Sequence, residues 1–217
     1  MRRPRWYAAA LATALALSVA GPVAAAQAER KPVLALLRAL TVAPENGSGY
    51  DRELFPTWAY VGNRCDVRDL VLIDEAREGP STGSSCPVGT GIWVSAYDGI
   101  TVRTPSELDI DHMVPLAEAW GSGARRWSAA VREEYAIDLG YSRSLIAVTA
   151  SSNRSKGDQD PAEWLPPRTS YRCTYVASWI GVKFRWGLSV DAQEEAALRV
   201  LATGCGNPRM VVPPKAR

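Results

Sequence analysis

The chain has 217 residues, with 25 lysines and arginines against 23 aspartates and glutamates. Its formal charge of +2 argues against a polycation that coats nucleic acid through net field alone, so any grip on a polyanion has to come from a local basic patch or a bound metal ion. The single histidine leaves no partner for a second, serine- or cysteine-based catalytic centre.

Arg2, Arg3 and Arg5 open the chain and precede an apolar run rich in alanine and leucine. Gly21 and Pro22 break that run, which closes on small residues at 24–28. This is the layout of a secretory signal peptide; an anchor would need about 20 unbroken apolar residues and a stop-transfer cluster. Residues 1–28 are therefore expected to be removed, giving a secreted, extracellular product without a membrane anchor. Loss of the three leader arginines takes the basic residues from 25 to 22 against 23 acidic ones, for a formal charge of −1.

Residues 29–206 are of a size for one domain, with most of the eight tryptophans as core material. In residues 31–43, leucine and valine recur at helical spacing. A mixed segment, 50–78, follows, then a Gly/Ser/Pro-rich loop at 79–85. Residues 88–103 alternate as strands do, with Asp98-Gly99 as a hairpin signal. A strand is predicted over 107–114, stopped at Pro115. Trp127, Val131, Tyr135 and Leu139 then mark one stripe of a helix over 124–139. Another β-branched run, 144–150, ends at a polar turn, 151–161. A helix at about 171–186 and a second one, capped by Asp191 and stopped at Gly204, close the domain. Residues 207–217, rich in proline, are expected to be a flexible tail.

Cys65, Cys86, Cys173 and Cys205 contain no CxxC pair, and export would place them where thiols oxidise, so disulfides are expected rather than a zinc site. Of the three connectivities, Cys65 with Cys86 and Cys173 with Cys205 is preferred, because each closes a local loop.

The stretch DIDHMVPL, residues 109–116, sets a base beside a hard oxygen ligand. His112 carries the side chain suited to accepting a proton near neutral pH, and Asp111 suits magnesium or manganese; Asp109, on the same strand face, competes for that role. Farther on, NRSKGDQDPAEWLP at 153–166 offers a neutral oxygen ligand in Asn153 with two cations, Arg154 and Lys156, for a phosphate. These two motifs resemble the HNH endonucleases, and the order of GYDRELF, the W-x-S-x-YDG stretch at 93–99, EAWGSGA and the cysteine-bearing C-terminal helices is similar to an exported branch of that family. That branch is related to the C-terminal domain of GmrSD-type restriction enzymes.

The resemblance covers nearly the whole mature chain and implies an α+β fold with a ββα-metal core, additional helices and disulfide staples. It implies that His112 activates water, that Asp111 and Asn153 hold one divalent cation, magnesium first and manganese second, and that Lys156 or Arg154 binds the phosphate. The expected activity is metal-dependent cleavage of DNA with low sequence specificity, RNA being the other candidate substrate, with no obligate protein partner. The alternative is a non-catalytic exported binding module on the same fold.

Two features depart from the family pattern: Ala136-Ile137-Asp138 stands where Ala-Asn-Asp is common, and 40 residues separate His112 from Asn153. The helix at 124–139 then has to be an insertion beside the hairpin. Because neighbouring strand residues face opposite ways, Asp111 and His112 are expected to need a twist or bulge to share a site. Arg52, Arg68, Lys183 and Arg185 are further candidates for a DNA-binding face.

Overall fold

In chain order the elements are β1 (Arg30–Pro32), α1 (Val33–Leu37), α2 (Val67–Glu75), β2 (Trp93–Val94), β3 (Thr101–Val102), β4 (Leu108–His112), α3 (Leu116–Gly121), α4 (Ala129–Ala136), β5 (Leu145–Thr149), α5 (Ala150–Lys156), α6 (Arg172–Trp186), α7 (Ala192–Gly204) and β6 (Arg209–Val211). They are taken from a computed structural model that describes residues 28–57, 65–80, 86 and 88–216. The leader reading at 1–28 lies almost wholly outside these residues. The strands form three antiparallel pairs, β1 with β6, β2 with β3 and β4 with β5, so the fold is α+β. No helix among the described residues is long and apolar enough to cross a membrane.

α6 is the spine of the larger core. Tyr175, Trp179, Ile180 and Trp186 bury its inner face against Leu36 and Leu37 of α1, Leu198 of α7 and an aromatic group that includes Phe55, Trp120 and Tyr135. Gly187, left-handed at φ 63°, ends α6 where a side chain would be strained. A second core lies between α2 and the β4–β5 pair, with Val67, Val71 and Leu72 packed on Trp93, Leu108, Ile110 and Leu145. Each of the apolar side chains fully buried there contributes about 1.5–3 kcal/mol.

Both disulfides join the expected partners. Cys65 pairs with Cys86 and Cys173 with Cys205, the latter linking the start of α6 to the end of α7.

Four local expectations are corrected. The stripe at 124–139 is a 3-10 turn, Ala124–Arg126, followed by α4, which Ser128 caps by accepting from the Val131 amide; Leu139 lies beyond the helix and is 42% exposed. The segment expected as a polar turn after β5 begins with α5, because Thr149 is an N-cap whose side chain accepts from the Ser152 amide. The tail is tied down at Arg209–Val211, since β6 supplies backbone partners to β1. The β4–β5 ladder pairs residue for residue from Leu108–Thr149 to His112–Leu145, so it carries no bulge.

Candidate active site

The β4–β5 pair runs directly into α5, a strand–strand–helix unit whose helix packs back on both strands. Strand alternation sends Asp109 and Asp111 toward α5. Asp109 Oδ2 accepts a hydrogen bond from Asn153 Nδ2 at 3.1 Å, and Asp111 meets Lys156. His112, the last residue of β4, turns the other way, toward α4. Its ring lies 6.3 Å from that of Tyr135 at 16° between planes, and its Nε2 is 2.9 Å from the Ala136 carbonyl oxygen. No bulge is required, because one cleft wraps around the end of the strand. It has a volume of about 510 Å³ and is lined by Asp109, Asp111, His112, Asn153 and Arg154 together with Tyr50, Arg52 and Arg68.

Each of the three central groups is held by a neighbour. A carbonyl can only accept, so Nε2 of His112 carries the proton and Nδ1 is the basic nitrogen. Burial lowers the imidazole pKa from 6.5 to about 4, with the positive charges of Arg52 and Lys156 acting in the same direction and the Ala136 carbonyl opposing. His112 is therefore neutral at physiological pH. By the same donor logic, the carboxylate of Asp109 fixes the Asn153 amide with its nitrogen inward, leaving the amide oxygen as the group not taken by Asp109.

Asp111 rests on Lys156 Nζ, 2.8 Å from each carboxylate oxygen, and accepts from Tyr97 Oη at 2.5 Å. Lys156 also donates to the His112 carbonyl at 2.9 Å. Burial pushes the carboxyl pKa up and the ammonium pKa down, and each partner opposes the shift of the other. Two donors converging on Asp111, Tyr97 and the charged ammonium of Lys156, favour its carboxylate form.

The expectation that Lys156 grips phosphate is thereby corrected: its side chain is 0% exposed, and its charge is directed at Asp111. Arg154 is exposed on the rim of the cleft. Arg52 and Arg68 line the cleft, whereas Lys183 and Arg185 are internal and belong to no DNA-binding face. Lys183 Nζ sits among Glu118, Glu194, Ser122 and the Ser189 carbonyl at 2.5–3.0 Å. Glu45, Glu118 and Glu194 are close enough together to share a metal ion, but this lysine already supplies the positive charge there.

Three further contributors, Asp98, Asp138 and the Ala136 carbonyl, lie outside the two sequence motifs. Asp98 accepts from the hydroxyls of Thr149 and Ser152, the latter at 2.7 Å, and so pins the first turn of α5 to the loop after β2. Those hydrogen bonds draw its carboxyl pKa below the usual value despite partial burial. Gly99 beside it is left-handed at φ 81°, as the Asp-Gly signal requires. Tyr97, Asp98 and Gly99 belong to the W-x-S-x-YDG stretch, which therefore carried the signal. Asp138 holds the Ala136 segment by accepting from Arg185 Nε and Nη2, Trp186 Nε1 and Ser144 Oγ. The Ala136 carbonyl leaves no signature in any side-chain pattern.

Residues 90–201 match the family described as GmrSD restriction endonucleases, C-terminal domain. An uncharacterized secreted protein of Arthroderma benhamiae is 43% identical over 173 residues, covering 78% of this chain and 83% of the relative. No solved structure matches the chain. Two motifs in order, a strand–strand–helix unit that joins them in one cleft, and both similarities agree: the chain belongs to the family of GmrSD restriction endonuclease C-terminal domains.

Proposed function

We propose that the protein is an exported, metal-dependent HNH endonuclease that hydrolyses phosphodiester bonds in DNA. The observation that carries this reading is the convergence of a neutral, tautomer-fixed imidazole, an oriented amide and an anchored carboxylate in a cleft lined by Arg52, Arg68 and Arg154. Two disulfides and a relative named as secreted support export.

The donor set fits a hard divalent cation, magnesium first and manganese second. Asp111 offers carboxylate oxygens with lone pairs beyond those facing Lys156, and Asn153 offers a neutral amide oxygen. Asp109 adds a second negative charge, which offsets that of Lys156. When bound, the cation would neutralise charge on the phosphorane and the leaving oxygen. Nδ1 of His112 takes the proton of a water whose oxygen forms the new bond to phosphorus; the P–O3′ bond breaks, and the 3′ oxygen leaves with a proton from solvent. Asp109, Lys156 and Ala136 take no part in the bond changes and act by holding their neighbours in place.

The test is incubation of folded, oxidised protein with plasmid DNA and magnesium or manganese, alongside a chelator and the His112→Ala variant. Nicking that disappears in both controls is expected. Cleavage of RNA alone would change the substrate, and no cleavage of either nucleic acid would favour a binding module on this fold.

A further inference from the structure

We propose that Arg52 is the residue that grips the scissile phosphate, its guanidinium taking the non-bridging oxygens on the His112 side of the cleft. The proposal rests on the nuclease reading above and supplies the phosphate ligand that the buried Lys156 cannot be.

Among the described residues, three cationic side chains line the cleft. Arg68 directs its Nη2 at the carbonyls of Pro105 and Leu108, at 2.7 and 2.9 Å, which ties it to the entrance of β4, at the far end of the strand from His112. Arg154 is exposed on α5, and its side chain makes no hydrogen bond or ion pair with the described residues, so a phosphate would have to immobilise it at an entropic cost. Arg52 is exposed yet already fixed: Nη1 donates to the Phe55 carbonyl at 2.8 Å and Nη2 to Thr57 Oγ1 at 2.9 Å. Those contacts use part of a planar fork of five donors and leave the others available.

The turn that carries Arg52 is itself rigid. Asp51 caps it through the Glu53 amide at 2.9 Å, and Arg132 Nε holds the Leu54 carbonyl at 2.9 Å. Phe55, 0% exposed, plugs the turn into the core against Trp120 and Tyr135. Tyr135 is also the ring on which His112 stacks. One aromatic cluster therefore sets the position of both the base and the arginine, which suits groups that act on the same phosphate. The contribution of the guanidinium is charge and paired hydrogen bonds on the phosphorane oxygens, with no proton moved.

The test compares wild type with Arg52→Ala, Arg52→Lys and Arg154→Ala in plasmid nicking at saturating cation. Affinity for a short DNA duplex is measured alongside by fluorescence anisotropy with chelator present, and melting is followed by circular dichroism. For Arg52→Ala, kcat is expected to fall about 10²-fold, with duplex affinity changing less than about tenfold, as for the loss of one phosphate contact among several. Guanidinium ion added at millimolar concentration should restore part of the Arg52→Ala rate and leave wild type unchanged, which a merely structural arginine would not show. Arg52→Lys is expected to keep an intermediate rate with a wild-type melting curve.

Wild-type cleavage by Arg52→Ala overturns the proposal, as does a loss without guanidinium rescue, or a loss and rescue confined to Arg154→Ala. A wild type that cleaves nothing overturns the nuclease reading itself, and this proposal with it.

Discussion

Lys156 Nζ lies 2.8 Å from both carboxylate oxygens of Asp111, with the lysine side chain wholly buried and that of Asp111 7% exposed. Breaking such a pair strands a charge in a low-dielectric interior. Lys156→Met should therefore lose roughly 3–5 kcal/mol of stability in urea denaturation, while the double variant Lys156→Met/Asp111→Leu regains much of it. The single variant should also cleave poorly, because Asp111 loses its support. A loss below about 1 kcal/mol, the range of solvated surface pairs, would show that Lys156 does not anchor Asp111.

This pair marks where the sequence stopped being informative. The candidate residues are legible: His112, Asp111 and Asn153 are three separate signals by residue type and order, and they line one cleft. The direction of Lys156 was not, because three residues along α5 from Asn153 can face strand or solvent depending on whether the segment is a helix, and Thr149 decides that by capping it. Cap and stop signals place α7, and an aromatic-rich run places α6, to within a residue or two, whereas α4 rests on periodicity alone. That periodicity extends α4 too far, because Leu139 falls in phase by chance beyond the helix end. Asp109 was visible only as a competitor to Asp111; its hydrogen bond to Asn153 required the register of β4 against α5.

Asp98 couples a loop to the helix that carries Asn153. Its carboxylate accepts from Thr149 and Ser152 hydroxyls and from the Ile100 amide at 3.0 Å. Asp98→Ala should cost about 1.5–3 kcal/mol, the range for hydrogen bonds to a charged group. It should also reduce cleavage by up to about 10²-fold through a small displacement of α5. Denaturation and nicking assays on the same preparation check both. Lost stability with wild-type turnover would show that Asn153 does not depend on this contact.

The two disulfides close loops of 21 and 32 residues in sequence separation. On the chain-entropy model each is worth about 3–4 kcal/mol, a large fraction of the stability of a domain this size. Cys173→Ser/Cys205→Ser should lower the melting temperature at least as much as Cys65→Ser/Cys86→Ser, because its loop is longer and it joins the two helices of the larger core. Reductant should lower wild-type melting and leave the corresponding double variant less affected. Equal melting of oxidised and reduced wild-type protein would contradict this.

His112 provides a pH test with one probe, since the chain has no other histidine. Burial holds its native pKa at about 4, below the 6.5 of an exposed imidazole. The unfolded chain therefore takes up a proton that the native state refuses as pH falls from 6.5 toward 4, so this residue withdraws stability over that window and contributes no pH dependence above it. His112→Asn should flatten that part of the stability profile. By the same shift, the base stays unprotonated down to about pH 5, so nicking should show no loss near pH 6.5 of the kind an exposed histidine would give. Titrating the imidazole carbon-bound protons by NMR measures the pKa directly: a midpoint near 4 is expected, and one near 6.5 would mean that the imidazole is solvated and that the Ala136 contact does not hold it in place.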